Sequence, residues 1–410
     1  MILINRRLFK VWADRLTPTI AQQLRTSGRI IPVDGDITKP NLGLGPSDLR
    51  QIQHQVNLII HSASSLNLKA KLDRIMPSVV EASLKMTDLA LTCPNLDRFV
   101  YVSTAYANAN RHDPFQARET FIEEKIYPLT ADMDTFASAM EELSKARQNG
   151  QVEASRPFPF TYGYAKHLTE RLIMNAFKDL PVCHIYVFAL RILTLYQEKV
   201  LIIRPSIIGP AEQSPFPGYE VPGSSPITTF AAGVCIDPSL TFKAASPFQD
   251  SDSQTFSDEV PVDVVVNRLL MSLAYGQSGI IHAVSGRAKR IPEGVLWKAM
   301  MKERKLFWKQ RYIWKKVDWH CRDLHLIARL FMVLGTAYDF DETNSRSLWQ
   351  SMSDDERQDF PLFTQREAKD LDFSSRRIAI RANVDAMLAK KGWPHWIKHF
   401  TCRRPVAIRA

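Results

Sequence analysis

Glycine is scarce in this chain, at 16 of 410 residues, and the glycines never form the G-x-G-x-x-G turn that holds a dinucleotide pyrophosphate. GLG at 43–45 continues as PSD, which breaks that pattern. Cysteine is sparse too. Cys93, Cys183, Cys235, Cys321 and Cys402 make no C-x-x-C pair. That argues against a disulfide framework or a zinc site and points to a reducing compartment. No apolar run reaches the roughly 18–20 residues that span a bilayer. The opening MILINRRLFKVW is too short in its apolar part for a signal peptide. Zinc-finger spacing and a strong basic-aromatic repeat are both missing, which sets nucleic acid aside as a partner.

A hydrophobic share of 45% is enough for a real core, and the length allows two or three domains. The formal charge of +10, with clusters at 304–311 and 403–404, suits anionic ligands. A phosphorylated nucleotide, coenzyme A and an acidic membrane surface all qualify.

The apolar pattern predicts an α/β chain. Residues 20–30 read as helix and RIIPVDGD (29–36) as a strand entering a turn. VNLIIHSAS (56–64) and DRFVYVSTAYAN (97–108) read as buried strands ending in small polar residues. Helical spacing marks 77–93 and 161–178, and LIIRPSIIG (201–209) is again a strand. Alternating strands and helices predict a parallel sheet covered on both faces, with ligands at the carboxyl ends of the strands. Asp36, Ser62, Ser103, Thr104 and Ser206 fall near those ends. Farther on, 260–276 reads as strand then helix and 280–286 as strand. Residues 292–340 read as helical and basic, 338–363 as acidic and helical, and 375–390 as a last helix.

TYGYAKHLTERLI (161–173) carries Tyr162 and Lys166 one helical turn apart on one face. An ammonium beside a phenol favours the phenolate, and such a tyrosine hands a proton to a carbonyl oxygen as hydride arrives at carbon. Thr104 or its neighbour Ser103 is placed to hydrogen-bond the same oxygen. A second pair, Tyr312 and Lys316 in RYIWKK, follows no strand ending in Ser or Thr and reads as the solvated face of a basic helix.

Several segments in order resemble the fatty acyl-CoA reductase family, of the extended short-chain dehydrogenase type: GDIT (35–38) with LGLG (42–45), IIHSAS (59–64), FVYVSTAYAN (99–108), TYGYAK (161–166), RPSIIGP (204–210), VPVDVVVN (260–267), IIHAVSG (280–286) and YDFDETNSRSLW (338–349). The resemblance covers about 29–400. It implies a Rossmann-like doubly wound parallel sheet over residues 1–290 and a mostly helical C-terminal domain over 291–410. It also implies NADPH-dependent reduction of a long-chain acyl-CoA thioester to aldehyde or alcohol. By carry-over Tyr162 is the proton donor. Lys166 tunes it and holds the nicotinamide ribose, and Thr104 or Ser103 orients the carbonyl. Asp36 and Ile37 flank the adenine, and His61, Ser62 and Ala63 line the middle of the cofactor. No metal is implied. The expected place of work is cytoplasmic, or peripheral on a peroxisomal or endoplasmic reticulum membrane.

The sequence departs from that family twice. Its first strand and glycine-rich loop are not found, so the sheet is expected to lack them. CHIYVFALRILTLYQEKV (183–200) also stands where KDLPV would run directly into LIIRPS. Removing 182–199 takes out 18 codons in frame, with a GT-initial codon at Val182 and a possible AG at Lys199, so a retained intron is one reading and a lipid-facing insertion the other. Two further functions stay open: a non-catalytic acyl- or partner-binding relative, and another extended short-chain dehydrogenase acting on a carrier-bound acyl chain or a sugar nucleotide. LHLIARLFMVLG (324–335) reads either as a packed helix or as an interfacial one.

Overall fold

The structure is a computed structural model that describes residues 28, 30–68, 70–129, 135–150, 152–178, 199–306, 308–316, 323–325, 327–328 and 332–404. The helix expected at 20–30 and most of the 183–200 segment lie outside the described residues.

Four parallel strands form the central sheet: β1 (Leu58–His61), β2 (Arg98–Val102), β3 (Val200–Pro205) and β4 (Gly279–Ala283), ordered as numbered. Every residue of β3 is buried, as expected of a central strand covered on both faces. Eight helices give the frame its shape: α1 (Pro46–Gln55), α2 (Ala82–Leu91), α3 (Phe136–Asn149), α4 (Thr161–Lys178), α5 (Pro226–Ile236), α6 (Val262–Ala274), α7 (Glu293–Glu303) and α8 (Thr343–Ser351). A further helix, α9 (Arg377–Lys390), lies near the end of the described chain.

Strand register decides the two faces. Ile59, Phe99, Tyr101, Val200 and Ile202 pack against Leu89, Ile173 and Phe177 of α2 and α4. On the other face Val100, Leu201, Ile203 and Ile281 pack against Val264, Val265 and Leu269 of α6. The parallel sheet covered on both sides is therefore present.

Three sequence expectations need correction. Residues 30–36 form no strand, because they find no ladder partner among the described residues; Ile31 and Val33 are exposed. The strand at 56–64 is buried on one face only. It pairs with β2, and its outward Leu58 and Ile60 are exposed. The stretch 292–340 is not uniformly helical. Arg311–Lys315 is a strand parallel to Thr241–Ala245, so Tyr312 does not lie on a solvated helix. Its alternation of Tyr312 and Trp314 puts both rings into an aromatic cluster with Phe242 and Trp297.

Leu324, Ala328, Val333 and Leu334 are buried, which supports the packed reading of 324–335. Residues on both sides of position 290 share one core: Ile227, Phe230 and Phe242 pack with Leu296, Phe373, Val384 and Leu388. Buried ion pairs lock the frame. Arg204 on β3 grips Glu170 on α4 at 2.9 and 2.6 Å, and Arg268 on α6 grips Glu342 at 2.9 Å. Arg376 holds both oxygens of Glu259 at 2.7 Å.

Candidate active site

Parallel strands deliver their carboxyl ends to one side. Ser62 and Ser64 follow β1, Ser103 and Thr104 follow β2, and Ser206 follows β3. Helix α4 crosses beside β2 and β3. Its Lys166 ammonium donates to the Val102 carbonyl at 2.9 Å, and the Glu170–Arg204 pair one turn later fixes its rotation. Gly163 between the two tyrosines is needed here, since a Cβ would stand 3.1 Å from the Tyr106 carbonyl and 3.0 Å from the Phe160 ring.

These groups line one cavity of about 350 Å³. Ser62, Ser103, Thr104, Tyr162 and Lys166 bring polar atoms to it, while Leu66, Leu68, Val102, Phe160, Ile207, Ile208, Pro226 and Val333 make it mainly apolar. The expected set thus meets in part. His61 sits behind the wall, and Asp36, Ile37 and Ala63 do not line the cavity.

Thr104 and Ser103 differ in what their hydroxyls already do. Thr104 Oγ1 accepts the Tyr106 amide at 3.3 Å and donates to the Pro205 carbonyl at 3.4 Å, capping the short helix Ala105–Arg111. Ser103 Oγ is buried and has no protein partner among the described residues. The free hydroxyl at the end of β2 is therefore Ser103.

Burial dominates the electrostatics. It pushes the Tyr162 phenol well above the ordinary tyrosine range, opposite to the sequence expectation. It also draws Lys166 down to about 7, with Glu170 opposing. The ammonium lies 4.6 Å over the Tyr101 ring and 5.8 Å over the Tyr162 ring. A neutral phenol beside an amine that titrates near neutrality is a proton donor with a nearby proton reservoir. His61 is held to about 4 by burial and then by Lys166, so its imidazole is neutral. Ser83 donates its hydroxyl proton to the Val79 carbonyl, so His61 Nε2 must donate to Ser83 across 2.9 Å. Nδ1 is then an acceptor, buried and without a partner among the described residues.

Asp36 lies in an exposed loop. Its Oδ1 accepts both the amide and the hydroxyl of Thr38, which holds the carboxyl below its usual range. The Asp36 amide donates to the Leu42 carbonyl at 2.7 Å, so LGLG (42–45) braces this turn. Tyr106, Phe160, Ser224 and Val333 line the cavity without having been singled out as site residues. Val333 comes from a segment more than 100 positions beyond β3, and nothing local in the sequence marks it.

The chain matches proteins of known family. A family model described as "Male sterility protein" matches residues 4–269. Fatty acyl-CoA reductase 1 of Homo sapiens is 30% identical over 252 residues, covering 60% of this chain and 42% of that protein. Fatty acyl-CoA reductase 2 of Mus musculus is 25% identical over 285 residues, covering 68% and 46%. The matched region thus spans less than half the length of these curated relatives. Among solved structures, the terminal R domain from the myxalamid PKS-NRPS biosynthetic pathway aligns with a TM-score of 0.49 at 16% identity, covering 89% of this chain and 76% of that one. With well over half of its residues matched, the chain belongs to the male sterility protein family, whose members include NAD(P)-binding reductases of the extended short-chain dehydrogenase type.

Proposed function

We propose that the protein reduces a long-chain acyl-CoA thioester with NADPH. The observation that carries this reading is the cavity itself: Ser103, Tyr162 and Lys166 line one pocket whose walls are mainly apolar. A thioester carbonyl needs the first feature, and a fatty chain needs the second.

The nicotinamide half of the cofactor suits the residues present. Lys166, Ser62 and Tyr162 would hold its ribose, and Ser64 Oγ, which lines the same cavity, is a buried polar atom in want of a partner among the described residues. When bound, the group supplies hydride. Ser103 then orients the acyl carbonyl and Tyr162 gives its oxygen a proton, while Lys166 resupplies the phenol. The apolar walls keep water from the carbonyl and hold the chain in line. As the C–S bond breaks, the oxygen returns its proton by way of Tyr162 and coenzyme A leaves as the thiol; reduction of the aldehyde to the alcohol in the same site would take a second NADPH and a second proton. Asp36 and Ile37 flank the adenine under this proposal. A basic chain acting on an acidic thioester at the surface of an organelle membrane completes the picture.

A second reading, a relative that binds acyl chains without turnover, is favoured by one observation. Among the described residues, LGLG braces the Asp36 turn and no other segment forms a glycine-rich phosphate cradle. One experiment separates the two. NADPH is titrated into the purified chain by nicotinamide fluorescence, followed by turnover of a long-chain acyl-CoA. Saturable binding, with turnover lost in Tyr162→Phe, supports the reductase. Acyl-CoA binding without any NADPH binding refutes it.

A further inference from the structure

Helix α9 ends where Gly392 adopts a φ of +66°, and Trp393 closes the turn by donating its amide to the Leu388 carbonyl at 2.9 Å. The chain then doubles back as two short turns, His395–Ile397 and Lys398–Thr401. Their inner residues are anchored. Cys402 and Thr401 are buried, and Ile397 packs on the core shared by Val234, Cys235 and Val384. Their outer residues are aromatic and uncovered: Trp393 is 41% exposed, Trp396 61% and Phe400 65%. Trp396 and Phe400 meet edge to face at 5.8 Å, so they project as a pair.

Cations surround them. Residues 390–404 include Lys390, Lys391, Lys398, Arg403 and Arg404 and no carboxylate. Lys391 lies 4.7 Å over the Trp393 ring, and Lys305 from the segment after α7 donates to the His399 carbonyl at 2.8 Å. Asp385 on α9 reaches in, and Lys398 binds it at 2.6 Å. Desolvation first, and then Arg381, Lys398 and Arg404, disfavour protonation of His399, with Asp385 opposing.

We infer that this surface docks the protein onto an anionic lipid bilayer. Exposed Trp and Phe insert at the headgroup level, and the flanking Lys and Arg pair with acidic lipids. A second copy is a poor occupant, because a symmetric contact would bring two such cationic strips together. No groove of stacked bases is offered, because the rings sit on the outer side of two anchored turns. Helix α5 connects the surface to the cavity. Pro226 at its start lines the pocket, and the carbonyls of Val234 and Asp237 at its end accept from Arg304, whose backbone bridges Cys402. Eleven residues of helix separate the two ends by about 16 Å. Bilayer docking does not depend on the proposed reaction, so the two stand or fall separately.

The test uses the full 410-residue chain and phosphatidylcholine vesicles with or without phosphatidylserine. Co-sedimentation is expected to be at least tenfold stronger with the anionic lipid, fall with salt, and blue-shift the tryptophan emission. Trp393→Ala/Trp396→Ala/Phe400→Ala should weaken it about a hundredfold at an unchanged thermal midpoint, since none of the three is buried. The charge variant Lys391→Glu/Arg404→Glu retains all three rings and should lose the preference for phosphatidylserine. Equal binding to both vesicles, or undiminished binding by a folded triple variant, overturns the inference. So does a dimer abolished by the triple variant in light scattering, or an RNA oligonucleotide that outcompetes the vesicles.

Discussion

Lys166 should destabilise the fold that uses it. The side chain is 1% exposed, and no carboxylate among the described residues pairs with it directly; it has the Val102 carbonyl and the Tyr101 ring. Its pKa falls from 10.5 to about 7. At about 1.4 kcal/mol per pH unit, the folded state bears roughly 4–5 kcal/mol for a charge it can barely keep. The sign follows from proton counting. Between about pH 7 and 10.5 the unfolded lysine is protonated and the folded one is not, so stability rises with pH across that window. Below it the whole cost is present. Lys166→Met keeps the apolar stem and removes the charge, at the loss of about 1 kcal/mol for the unpaired Val102 carbonyl. The variant should therefore be about 3 kcal/mol more stable at neutral pH, with the advantage gone near pH 10, while turnover is lost. Urea unfolding of both proteins across that range measures it. A Lys166→Met variant less stable at pH 7, or a difference independent of pH, would refute the reasoning.

Other outcomes follow from the same geometry. Ser103→Ala should lower kcat about a hundredfold with little change in thermal midpoint, while Thr104→Ala should cost about 1 kcal/mol of stability through the lost cap and leave most of kcat. Steady-state kinetics and melting of the two variants decide between the hydroxyls. Glu170→Ala strands a fully buried Arg204 and should cost about 3–5 kcal/mol, read by denaturation, with kcat falling as α4 loses its anchor. Val333 divides the cavity from a second one of about 140 Å³ bounded by Ala109, Phe158 and Tyr338. Val333→Ala should raise the kcat/KM ratio of longer to shorter acyl-CoA about tenfold, and Val333→Phe should lower it.

What was legible in the sequence was what local patterning controls. The buried run LIIRP became an inner strand because it is apolar but for Arg204, whose charge Glu170 meets, and Thr161–Lys178 is a helix over the predicted span. Tyr162, Lys166, Ser103 and Thr104 reach one cavity because strand ends and helix turns place them there by rule. Long-range pairing was not legible. IIPVD has the composition of a strand but no ladder partner among the described residues, and RYIWK lies in a basic run yet pairs with a strand about 70 positions earlier. Electrostatic sign was illegible for the same reason. Proximity of Lys166 to Tyr162 argued for an acidic phenol, but desolvation outweighs one amine that is itself barely charged. Nor does composition distinguish Ser103 from its neighbour. Thr104 is occupied only because the chain turns into the helix Ala105–Arg111 and presents the Tyr106 amide, while the Pro205 carbonyl arrives from β3. The hydroxyl that remains free is chosen by the fold, and under the proposed function it is the one that takes a substrate carbonyl without giving up a bond.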